Sequence, residues 1–138
     1  MKYTIYLNTE INCVKITDSG KNQAFVWDVS NIDVKNGMRL KVFNVAHAGT
    51  GHGDNIITFK INDLSYNSCF YYGNDASPPT IFQGTFGTAN CYYQPWGELV
   101  LNNQTINTIT IRVSDDLTNI NSGVNTALKF IIGLVIED

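Results

Sequence analysis

The chain has 138 residues, of which 43% are apolar and 15% charged, with a formal net charge of −3. That length suits one domain whose core needs no disulfide staples, and the charged fraction falls well below the roughly 25% usual for soluble domains. Its nine Lys and Arg residues are scattered singly among twelve Asp and Glu, which excludes a protein that tracks nucleic-acid phosphates.

Asn, Thr, Ser and Gly fill the charge deficit, and these residues suit turns and polar strand faces better than helix interiors. Tyr3–Leu7 and Ile11–Ile16 are short strands at the start of the chain, and Asp18–Asn22 is a turn. Ala24–Val29 follows with Phe25, Trp27 and Val29 on one face, then the turn dipeptide Asn36-Gly37, then a strand over Met38–Ala46. His47–Asn55 is a glycine-rich loop, after which Ile57, Phe59 and Ile61 alternate with Thr58 and Lys60. Ser68–Tyr72 and Thr80–Phe82 are weaker strands on either side of Pro78-Pro79, and Gly84–Gly97 is a long aromatic and glycine loop. Glu98–Leu101 turns at Asn102-Asn103 into Thr105–Val113, which alternates cleanly with Ile109, Ile111 and Val113 on one face.

The last segment, Ala127–Asp138, places Leu128, Phe130, Ile132, Leu134 and Ile136 on one face and Ile131 and Val135 on the other. A strand apolar on both faces is covered twice, either within its own fold or by another chain. Eight to ten strands with no trustworthy helical period predict an all-β, antiparallel β-sandwich, an eight-stranded single jelly roll. One domain spans residues 1–138, with 1–22 an N-terminal arm or a first strand pair.

No catalytic motif is present, and no enzyme activity, cofactor or metal is expected. His47, His52 and Asp54 are metal-competent residue types, but their glycine-rich spacing matches no ligand motif and reads as an exposed loop. The same loop lacks the Lys and the helix of a phosphate cradle. Asp28 and Glu98 are a conceivable glycosidase pair without local support, and Asp115, Asp116, Asn119 and Asn121 read as a polar loop before a Ca²⁺ site. The aromatics Phe70, Tyr71, Tyr72, Phe82, Phe86, Tyr92, Tyr93 and Trp96 divide among core, protein interface and sugar-stacking platform. Ile131, Val135, Tyr71, Tyr72, Tyr92, Tyr93 and Trp96 are therefore the interface candidates.

Three cysteines (Cys13, Cys69, Cys91) without a CxxC pair are expected as reduced thiols in an intracellular setting. The first residues lack the apolar core of a secretory leader, and no run approaches the roughly 18 apolar residues of a membrane span. The sequon at Asn103 is read as chance.

The order of segments resembles a known group. Phe25–Val29 (FVWDV), Arg39–Asn44 (RLKVFN), Ile57–Leu64 (ITFKINDL), the Pro78-Pro79-Thr80-Ile81 turn, Leu99-x-Leu101 leading into Ile106–Asp115, and the final Phe130–Glu137 carry the likeness. The chain resembles, over residues 24–138, the small jelly-roll minor capsid and penton-type structural proteins of large double-stranded DNA viruses of algae and protists. That resemblance implies a virion protein made in the host cytoplasm, a homo-oligomer whose partners are itself and other capsid proteins. The other reading is a carbohydrate- or receptor-binding β-sandwich, with Tyr71, Tyr72, Tyr92, Tyr93 and Trp96 as the stacking set.

Overall fold

The computed structural model describes residues 1–17, 22–48, 56–71, 80–85, 92–93, 97–115 and 129–138. Within them lie eleven strands: β1 (Lys2–Asn8), β2 (Cys13–Thr17), β3 (Asn22–Val34), β4 (Arg39–Ala48), β5 (Ile56–Asn62), β6 (Tyr66–Tyr71), β7 (Thr80–Thr85), β8 (Tyr92–Tyr93), β9 (Gly97–Leu101), β10 (Gln104–Asp115) and β11 (Lys129–Glu137). One sheet runs β1-β11-β4-β9-β6, with β8 also paired to β4, and the other runs β2-β3-β10-β5-β7. Every pairing is antiparallel. The all-β, two-sheet expectation therefore holds, with eleven described strands in place of eight. Residues 1–22, the segment expected as an arm or a first strand pair, contribute β1 to one sheet against β11 and β2 to the other against β3.

The pairings nest. β1 pairs with β11, β3 with β10, β4 with β9 and β5 with β7, so the chain's outer strands enclose its inner ones. Consecutive strands mostly change sheet, which is why the connections gather at the two ends of the sandwich. At one end three corners are stitched together. Lys35–Met38 forms a turn closed by Met38 N–H donating to the Lys35 carbonyl (3.1 Å), and Gly37 at φ 90° supplies the positive angle that a type II turn requires. Asn36 and Asn103 then exchange bonds: each backbone N–H donates to the other's side-chain oxygen, at 2.9 and 2.7 Å. Ser65 joins them through Gln104 and Asn102.

The core follows from alternation. Phe25, Trp27, Ile106, Ile109, Ile111, Val113, Phe59 and Ile61 face inward from one sheet, and Leu7, Leu40, Val42, Val45, Leu99, Phe130, Ile132, Leu134 and Ile136 from the other. β3 is long because it bends midway. Ile32 lies opposite Ile106 and Asp28 opposite Thr108, so β3 carries extra residues there, with Ser30 and Asn31 at positive φ (59° and 49°). The kink lets Trp27 and Ile32 both reach the core despite their odd spacing.

Phe130 sits at the centre. Its ring lies 4.9 Å from Phe25, 5.1 Å from Phe59 and 6.1 Å from Trp27, each edge-on, so one side chain of the first sheet touches three aromatics of the second. Edge-to-face geometry at these distances adds to the area buried. Phe130→Ala is expected to cost about 3–5 kcal/mol, read as a lowered midpoint in urea unfolding. A change under about 1 kcal/mol would mean that the sheets are held elsewhere.

Candidate interaction surface

The outward face of β1-β11-β4 is the unusual surface of this fold. On β11 the outward positions are Ile131, Gly133 and Val135; their register partners are Asn8, Tyr6 and Thr4 on one side and Ala46, Asn44 and Lys41 on the other. The pairing of β11 with β4 slips between Gly133 and Leu134, so that β4 passes from Asn44 to Val42 and Phe43 is the extra residue. This bulge re-aims Phe43 outward between the buried Val42 and the outward Asn44.

Phe43 lies over Gly133. A Cβ on that glycine would come within 2.6 Å of the Phe43 Cζ, so only glycine fits beneath the ring. Tyr6, opposite Gly133 on the other flank, meets Phe43 edge-on at 5.6 Å and 83°. Tyr6 is 61% exposed and Phe43 37%. Val135 is only 8% exposed and Ile131 is half-buried, so the two rings carry the exposed apolar surface of this face. Beside them a shallow groove of about 290 Å³ runs between Ala46, Phe130, Ile131 and the turn Asn8–Glu10, with the Lys129–Glu10 ion pair (3.7 Å) at its rim.

Charge collects at the far end of the same face. Arg39 contacts Glu98 at 2.8 Å, and Lys41 reaches Glu137 at 3.4 Å and Glu98 at 4.0 Å. These pairs are partly exposed and add little stability, but they fix side chains at the border of the aromatic patch. The outward face of the other sheet is different: Asp28, Thr108, Thr110, Arg112, Lys60 and Asn62 make it polar, apart from Val26 and the exposed Val14 near its β2 edge.

Of the interface candidates, Ile131 and Val135 lie together on this face. Tyr92 and Tyr93 form β8 and pair with Ala46 and Val45, and Tyr71 ends β6 opposite Gly97. Tyr72 and Trp96 lie outside the described residues, as do Phe86, Cys91, His52, Asp54, Asp116, Asn119 and Asn121. Phe82 belongs to the core, 5.8 Å from Phe59. Asp28 and Glu98 belong to different sheets, and Glu98 is held by Arg39, so the two carboxylates do not form a pair. Among the described residues no three His, Cys, Asp or Glu side chains converge on a metal-sized site, and no helix is long and apolar enough to cross a membrane. Tyr6 and Phe43 are the surface residues that periodicity missed. Tyr6 is legible as the outward position of an alternating YTIYL, whereas the bulge that exposes Phe43 leaves no trace in the sequence.

No family model matches the chain, and no curated protein matches it. Among solved structures it is similar to the catalytic domain of a GH87 alpha-1,3-glucanase variant in complex with nigerose, at 12% identity and a TM-score of 0.25. The match covers 98% of this chain and 28% of that one, and at this score it carries no functional argument.

Gly133→Ala is expected to cost about 1–3 kcal/mol by displacing the Phe43 ring. In a Phe43→Ala background most of that cost should vanish, and a double-mutant cycle by urea unfolding measures the coupling. Equal costs in both backgrounds would mean that the ring is not what excludes a larger residue.

Proposed function

We propose that the chain is a structural subunit of a virus particle, a minor-capsid or penton-type protein built on a single jelly roll and acting by burial of surface against its neighbours. The observation that carries this reading is the nested strand order. An antiparallel ribbon of eight strands rolled into two sheets gives the orders β1-β11-β4-β9 and β3-β10-β5-β7, with β2, β6 and β8 added around that frame. The outer face of the first sheet supports it further, because a lattice subunit needs an apolar patch with a polar border. Tyr6, Phe43 and Ile131 supply the patch, and Arg39, Lys41, Glu98 and Glu137 supply the border. A subunit placed many times in a closed shell gains avidity without tight pairwise binding. No catalytic role enters this reading.

An antiserum raised against the purified chain tests it directly. Immunogold labelling is expected to decorate the shells of virus particles recovered from the source of the sequence, and the folded variant Ile131→Asp should be depleted from them. Particles free of label would overturn the reading.

A second reading, a carbohydrate- or receptor-binding module, is favoured by one observation: Tyr6 presents an exposed ring braced by Phe43, the kind of platform on which sugar rings stack. Glycan-array binding that disappears in Tyr6→Ala, with the fold retained, would support it over the virion role.

A further inference from the structure

β1 is an edge strand, and its hydrogen-bonding pattern says which of its groups are free. Thr9 N–H donates to the Phe130 carbonyl at 3.1 Å, and the β1–β11 register runs unbroken from there through Lys2 opposite Glu137. In an antiparallel ladder the bonded pairs alternate, so Leu7, Ile5 and Tyr3 direct their backbone groups at β11, and Asn8, Tyr6, Thr4 and Lys2 direct theirs outward. The Asn8 carbonyl is already used twice, by the Trp27 indole N–H at 2.9 Å and by Ile11 N–H at 3.0 Å. Among the described residues that leaves the N–H and C=O groups of Lys2, Thr4 and Tyr6, all three exposed, as the free stretch of edge.

This edge is lightly guarded, its one charge, Lys2, standing at the first residue of the strand. β1 contains no proline and no bulge, and its inward residues Tyr3, Ile5 and Leu7 are apolar. The neighbouring free edge, β2, has a charged residue in mid-strand, with Lys15 at the register position of Phe25. Alongside β1 runs a groove of about 320 Å³, walled by Thr4–Leu7 on one side and by Trp27–Ser30 on the other, with Ile11 and Asn12 also lining it. It has room for the inward side chains of an added strand.

We propose that β1 pairs antiparallel with β1 of a second copy of this chain, about a two-fold axis at Thr4. The centre is fixed by the free groups. Pairing Thr4 with the partner's Thr4, and Lys2 with the partner's Tyr6, uses all of Lys2, Thr4 and Tyr6 and leaves Asn8 to Trp27. A centre at Ile5 would instead demand the Asn8 carbonyl. The charges agree with this register, because Lys2 is the only charged residue in β1. Antiparallel pairing sets the two Lys2 residues about 13 Å apart along the strands, whereas parallel pairing would put them side by side. Each Lys2 lies across from a Tyr6 ring, a cation–π arrangement. Tyr3 meets the partner's Ile5 on the inner face, where both enter the groove. The contact is isologous, so it closes as a dimer, and it joins two copies of the first sheet into one. This goes beyond the proposed function, since such a dimer forms with or without a virion.

Sedimentation of the full chain over a concentration series tests it with three variants. Thr4→Pro removes an N–H that faces away from β11, so the fold should survive with an unchanged circular dichroism spectrum. Dimer affinity should fall roughly a hundredfold, as both central hydrogen bonds are lost. Tyr6→Lys sets lysines opposite each other and should weaken the dimer about tenfold at low salt, with Lys2→Glu added to it restoring affinity. The charge pair keeps the test decisive if Thr4→Pro fails to fold. A folded Thr4→Pro protein that dimerises like the wild type would overturn the edge proposal and leave the proposed function standing. A wild type that stays monomeric, forms a ring, or ignores the charge reversal would overturn it as well.

Discussion

The structure depends on one side chain that joins its two sheets. Phe130 projects from β11 into a triangle of Phe25, Trp27 and Phe59, all from the opposite sheet. Its backbone is held with equal care: its N–H donates to the Thr9 hydroxyl oxygen and its carbonyl accepts from Thr9 N–H. Trp27 in turn donates to the Asn8 carbonyl, one residue before Thr9. A closed circuit therefore runs from β11 through the aromatic centre to β3 and back to the end of β1. Hydrophobic burial drives the sheets together without direction, and this circuit supplies the direction.

The same three strands make the outer surface distinctive. With its inner face committed to the core, β11 would expose an apolar outer face unless neighbours covered it. A bulge in β4 throws Phe43 across Gly133, and Tyr6 closes on the ring from β1. Gly133 is thereby withdrawn from water by the chain itself, Val135 is nearly buried between Thr4 and Lys41, and the exposed apolar area moves to two aromatic rings. Aromatic rings bury large area at small entropic cost, so the exchange converts an aliphatic strand into a surface suited to contact. Among the described residues the opposite sheet shows no such device and presents Asp, Thr, Lys, Arg and Asn, with Val14 and Val26 toward its β2 edge.

The alternation over Thr108–Val113 was legible in the sequence because Ile109, Ile111 and Val113 all meet the core, whereas Ile106, also buried, falls outside that period because the pairing with β3 shifts between Ile106 and Thr108. The Asn36-Gly37 turn was legible because its geometry is local and Gly37 supplies the positive φ. The extent of β3 was not, since Ser30 and Asn31 break the period and hide the fact that Ile32 and Val34 continue the same strand. β8 was read as part of a loop, because a two-residue strand has no period of its own and exists only against β4. Ile131 and Val135 were legible as outward positions of β11, but Val135, which Thr4 and Lys41 flank, is almost fully covered. Interface reasoning passed over Tyr6 and Phe43, whose exposure depends on a register slip between strands far apart in sequence. Strand order itself was beyond reach, because pairing partners are not written in the period of either strand.

The nesting of strands also bears on the order in which the fold can be made. Among the described strands β1 has a single neighbour in its sheet, and that neighbour is β11, so β1 must wait for residues 131–137, about 120 positions later, before it can be paired. Until then β4 and β9 can join, as can β3 and β10, but the aromatic centre lacks Phe130 and the sandwich stays open along one side. A chain of such high contact order acquires its native structure late and slowly. Through that interval both edges of β1 are unsatisfied, which makes the growing polypeptide vulnerable to premature pairing on crowded polysomes.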